Sequence, residues 1–127
     1  QQANKTLAKT LNITGVETLY AELEGEVIIK TWDKDNFARV QMEITYENAN
    51  TNVMKFLISK GRYNLDVVND EDNTHTIRQI KYKKAIAINK EGNLLVEKIV
   101  YTIFLPENVT LINTKELITL DTVADNK

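Results

Sequence analysis

The sequence predicts a mainly β protein, arranged as a twisted sheet, a sandwich or a short β-solenoid, with one short α-helix at about residues 51–60. Three observations carry this expectation. Apolar and β-branched residues alternate with polar ones in at least five separate runs, which is the period of a strand and not of a helix. Gly, Asn and Asp separate those runs at short spacing, as turns require. One window only, from Glu47 to Gly61, abandons period two and spaces its apolar residues by three and four.

Taken in order, the polar start Gln1-Gln2-Ala3-Asn4-Lys5 lacks a Met and reads as a mature or trimmed end with no signal peptide in it. Leu7, Leu11 and Ile13 then make a first strand that Gly15 terminates. The stretch from Leu19 to Ile44 organises the chain, with Gly25 and Asp33-Lys34-Asp35-Asn36 as its turns. Within it, Val27, Ile29 and Thr31 alternate with Ile28, Lys30 and Trp32. β-Branched or aromatic residues therefore lie on both sides, and this strand is expected to be buried on both. Val40, Met42, Ile44 and Tyr46 alternate with Arg39, Gln41, Glu43 and Thr45, a strand with one wet face.

In the helical window Asn48, Asn50, Thr51 and Asn52 are N-cap candidates, and Gly61 falls where a residue just past a helix end belongs. Tyr63, Leu65 and Val67 resume period two, and the polar loop Asn69 to Asn73 returns the chain through His75 to Ile80 as a hairpin. A second hairpin loop, Asn89 to Asn93, lies between Ala85–Ile88 and Leu94–Val96, with Gly92 to take a positive φ. Ile99, Tyr101, Ile103 and Leu105 form a strand that Pro106 ends, and the short runs Val109 to Ile112 and Leu117 to Leu120 follow. Thr18-Leu19-Tyr20-Ala21 with Val27-Ile28-Ile29, and Thr110-Leu111-Ile112-Asn113 with Leu117-Ile118-Thr119, share a strand, turn, strand outline without strict spacing.

Composition bounds the function. The 127 residues fit one β-rich domain, and no apolar run approaches the roughly 18 residues of a membrane helix. A net charge of −2, from 16 basic and 18 acidic residues, supplies no field to recruit nucleic acid, which is not expected as a partner. Without cysteine and with a single His, a zinc site of three His or Cys ligands is impossible, and no cofactor is expected. The only Ser, Ser59, and the only His, His75, offer no partner set for a triad, and no Gly-rich run precedes the helix, so no enzymatic activity is expected. Asp70-x-Asp72-x-Thr74 lacks the sixth-position Gly and the twelfth-position Glu of a calcium loop and reads as a solvated turn, and Lys81, Lys83 and Lys84 read as a wet strand face.

Three segments, GEVIIKTWDKD (25–35), GRYNLDVVND (61–70) and EKIVYTIFLPENVTLI (97–112), resemble a bacterial adhesin family of exported β-strand-repeat domains, a domain of unknown function. The shared features are a Gly-led strand pair, a Trp-Asp turn and a strand closed by Pro. The resemblance implies a twisted or solenoid-like β architecture, export to the periplasm or cell surface, and a role as a surface interaction module. Lys115-Glu116 stands where the family places a Gly turn, so the chain reads as a short or truncated member of a longer repeat family.

The expected function is accordingly a non-enzymatic, adhesin-like module of the cell envelope with a protein or glycan partner; the alternatives are a small carbohydrate- or lipid-binding β-domain or a purely structural cap. Candidate contact residues are the aromatics Tyr20, Trp32, Phe37 and Tyr46, weighed against ordinary core packing. The apolar run from Val109 to Leu120 is thinly protected by charge, which predicts a homodimer through the C-terminal β edge.

Overall fold

A computed structural model describes residues 2–69, 75–79 and 87–113. Eight strands and one helix occur among them: β1 (Ala3–Asn12), β2 (Thr18–Glu22), β3 (Glu26–Trp32), β4 (Phe37–Tyr46), α1 (Thr51–Ser59), β5 (Leu65–Asn69), β6 (His75–Gln79), β7 (Glu97–Pro106) and β8 (Thr110–Asn113). They form two mixed four-stranded sheets, ordered β1-β4-β7-β3 and β5-β6-β2-β8. The architecture is mainly β, with one short helix and no closed barrel among the described residues.

Alternation decides the core. Ala38, Val40, Met42, Ile44 and Tyr46 of β4 are buried, while Phe37, Arg39, Gln41, Glu43 and Thr45 between them face outward. On β2, Leu19 and Ala21 are fully buried between half-buried Thr18, Tyr20 and Glu22. Inner faces of both sheets, with Met54 of α1, enter a single cluster that includes Leu19, Ile77, Ile103 and Leu105. One shared core under two sheets is the sandwich among the expected alternatives.

Three strand pairs are parallel, β3 with β7 in one sheet and β2 with both β6 and β8 in the other. The links after β2 and after β7 each carry the chain from one sheet to the other, and β3 runs parallel to β7 while β2 runs parallel to β8. The first strands of the two outlines noted in the sequence pair in register, Thr18 beside Thr110 and Leu19 beside Leu111. Where β8 stops, its last side chain continues the pairing: Asn113 Nδ2 donates to the Leu23 carbonyl (3.0 Å), and Leu23 N–H donates to Asn113 Oδ1 (3.1 Å).

The helix begins and ends as its residues dictate. Asn50 caps it by accepting from Val53 N–H at 3.0 Å. Gly61, at φ 83°, closes it with Gly61 N–H to Ile58 O and Arg62 N–H to Leu57 O, a Schellman ending that projects Arg62 and Tyr63 toward the sheets. The 89–93 loop closes with Gly92 at φ 84° and an Ile88–Leu94 bridge. Asn48 holds that loop, donating to Leu94 O and accepting from Val96 N–H.

The β2–β3 link depends on Gly25. Its φ is 120°, and a Cβ there would lie 2.8 Å from the Ile99 carbonyl oxygen of β7. Gly25→Ala should therefore lower the unfolding free energy by about 2–3 kcal/mol. Urea denaturation checks this, and a change below about 0.5 kcal/mol would show that the link relaxes freely.

Two expectations need correction. β3 is not buried on both faces; it is the edge of its sheet, and Ile28 and Ile29 are 37% and 52% exposed. β-Branched residues on both sides of a strand record a preference for pleated backbone, which an edge strand satisfies as well as a central one. Tyr46 is no surface contact residue, because it points into the core with no exposure. The Asp70 to Asn73 turn, the Lys81 to Lys84 run, and the Leu117 to Leu120 part of the expected C-terminal interface lie outside the described residues.

Candidate binding site

The ends of β3 and β7 coincide, because the parallel register sets Trp32 beside Pro106. The turns that follow, Asp33 to Asn36 and Glu107 to Asn108, therefore stand side by side at one end of the sheet. Trp32 is half-buried and braced from two sides. Its indole Nε1–H donates to the Phe37 carbonyl at 3.0 Å, and its ring packs on Phe104 at 5.6 Å between centroids with planes tilted by 37°. Phe37, which opens β4, is 42% exposed.

Trp32 lines a notch of about 540 Å³ with Thr31, Asp33, Asp35, Glu107 and Asn108. A second hollow of about 510 Å³, lined in part by Ile13, Val16 and Glu17, adjoins it through the shared residues Asp35 and Asn108. The charged groups lining the two are acidic, so the end of the sheet repels anions and offers carboxylate and amide acceptors beside an aromatic wall. Among the described residues no cluster of three or more His, Asp or Glu has an arrangement able to hold a metal ion.

Of the four aromatics marked in the sequence, Trp32 lines the notch, and Phe37 meets Trp32 through its backbone carbonyl, with its exposed side chain outside the lining. Tyr20 lies on the outer face of the other sheet, between Thr76 and Ile112. Phe104 and the acceptors Glu107 and Asn108 were missed. Their only sequence signal was the Pro106 strand end, and the parallel pairing that brings it beside Trp32 has no local signature.

Tyr46 belongs instead to a buried polar cluster. Its hydroxyl lies 2.5 Å from that of Tyr63, which donates to Glu97 Oε2. Arg62 clamps the same carboxylate with Nε at 3.1 Å and Nη2 at 3.2 Å, and the ion pair is almost wholly shielded from solvent. Burial, then the hydrogen bond to Glu97, pushes the Tyr63 hydroxyl far above its ordinary value, and burial raises Tyr46 as well. Burial opposes the Arg62 charge, but the Glu97 carboxylate outweighs it and holds the guanidinium protonated. The cluster joins the end of β4, the exit of α1 and the start of β7. Ser59 and His75 stand on different elements, and the Ser59 hydroxyl donates to the Phe56 carbonyl within its own helix. A further groove of about 480 Å³ between β1 and the exit of α1 is lined by Leu7, Met42, Ile58, Tyr63 and Leu65, with Lys9 at its rim bonded to the Leu65 carbonyl.

No helix among the described residues is long and apolar enough to cross a membrane. No family model matches the chain, and neither does any curated protein. A solved structure of a "putative cell adhesion protein" from Clostridium sporogenes is similar at a TM-score of 0.46 and 11% identity, over 86% of this chain and 45% of that one. This chain thus spans less than half the length of that protein.

Proposed function

We propose that this chain is a non-enzymatic interaction module, exported to the cell envelope, that binds a neutral glycan at the Trp32 end of its first sheet. The supporting observation is the braced, half-buried Trp32, which lines one notch with the acceptors Asp33, Asp35, Glu107 and Asn108. A sugar presents an apolar face for an aromatic ring and hydroxyl donors for carboxylates, and the acidic lining disfavours anionic ligands. Bracing fixes the ring before the ligand arrives, which reduces the ordering cost of binding. Export and an envelope location enter this reading from the sequence resemblance.

Trp32 is the only tryptophan of the chain, so its emission reports directly on the notch. Titration with a panel of neutral and sialylated oligosaccharides should shift that emission for neutral members and leave it unchanged for sialylated ones. Trp32→Ala, followed by calorimetry because the fluorophore is gone, should weaken binding by about tenfold or more. Failure of every neutral oligosaccharide to bind, or binding that survives Trp32→Ala, overturns the reading.

A further inference from the structure

The two edges of the first sheet are built differently. β1 forms one of them, and its Lys5 and Lys9 sit opposite buried Ile44 and Val40, on the face that lies toward the core. Both lysines are exposed, and a strand added there would have to cover them. Inward-facing charge on an edge strand is a common guard against unwanted pairing. β3 forms the other edge and carries no such guard. Its inward positions are Val27, Ile29 and Thr31, in register with Tyr101, Ile103 and Leu105, and its free side has no partner among the described residues.

The outward positions of β3 make the edge self-complementary. They read Glu26, Ile28, Lys30 and Trp32, the first three an acid and a base placed symmetrically about an apolar residue. An antiparallel copy centred on Ile28 sets Glu26 opposite Lys30 of the other protomer on both sides of the axis, sets Ile28 against Ile28, and sets Val27 against Ile29 on the core side. A slip of one residue would turn the core-facing side chains outward. Centring on Ile29 instead would place Glu26 opposite Trp32 and lose both ion pairs.

We propose that the free edge of β3 is an interface for a second copy of this chain, added antiparallel about a two-fold axis through Ile28. The contact is one strand wide, so the association is weak and visible at about 100 µM and above. The inference does not rest on the glycan reading, since the notch and the edge use different groups of the same strand.

Sedimentation of the full chain across that concentration range should show a monomer–dimer equilibrium. Glu26→Lys and Lys30→Glu should each weaken it by about tenfold, and the double exchange should restore it, which a merely structural role for either residue would not produce. The chain has no cysteine, so I28C introduces a unique thiol. It should oxidise to a covalent dimer, because residues opposed across an antiparallel pair lie within disulfide reach. A8C, on the guarded β1 edge, should not. A strictly monomeric chain, including one whose own residues after β8 occupy the edge, overturns the proposal. Failure of the double exchange to restore association, or equal cross-linking of A8C, does the same.

Discussion

Glu97→Ala should lower the unfolding free energy by about 3–5 kcal/mol, the loss expected when one member of a buried ion pair is removed and the other stays. Two bonds from Arg62 and one from Tyr63 converge on this carboxylate, in a site nearly closed to water. Cutting the side chain back leaves a guanidinium that has surrendered its hydration, facing a cavity where its counter-ion stood. Glu97→Gln keeps an acceptor for Tyr63 and removes only the charge, so its loss should be smaller. Urea denaturation midpoints of the two variants check the ordering, and a Glu97→Ala loss below about 1 kcal/mol would mean that the cluster reorganises without it.

Alkaline solution should unfold the protein through the same cluster. Tyr46 and Tyr63 have raised folded-state values, so each favours folding fully below the ordinary tyrosine value of 10.0. Above it, the unfolded chain gives up protons that the folded chain retains, and stability falls as pH rises. Tyr63, whose value is raised farthest, contributes a slope of about 1.4 kcal/mol per pH unit there, and Tyr46 adds to it in the same direction. Tyrosinate absorbance should show these two hydroxyls ionising together with loss of the far-ultraviolet dichroism, not ahead of it. A Tyr46→Phe, Tyr63→Phe double variant should have a visibly flatter alkaline limb. Independent ionisation of all five tyrosines near pH 10 in the folded chain would refute the assignment.

The sequence made the local elements plain and the long-range ones obscure. The Gly61 ending and the one-sided burial of β4 are each written within a few neighbouring residues, and the structure places them as expected, while of the four N-cap candidates it selects Asn50. Burial of β3 was misjudged because edge and centre differ only in what pairs alongside, and its composition suits both. Tyr46 was misassigned for a different reason: its parity with Val40, Met42 and Ile44 already places it on the buried face of β4, but the residue that satisfies its hydroxyl there has no local signal. Here that residue is Tyr63, beyond an intervening helix. Part of the candidate site was legible, since Trp32, Asp33 and Asp35 belong to one strand end and its turn, while Phe104, Glu107 and Asn108 arrive from a distant strand.

That distance bears on how the chain acquires its shape. The parallel registers join Glu26 to Val100 and Thr18 to Thr110, separations of 74 and 92 positions. β1 and β4 can associate as soon as the first 46 residues exist, because they are partners of one another. β2 and β3 lie between them in the chain, yet two of their partners, β7 and β8, belong to its last third. During synthesis those two apolar strands are present long before the strands that will flank them, and closing loops of such length costs entropy that only the finished pairing repays. By this measure the expected nuclei are the local pairs, the β5–β6 hairpin and the β1–β4 ribbon, with the helix, and the long-range parallel pairs are expected to condense last.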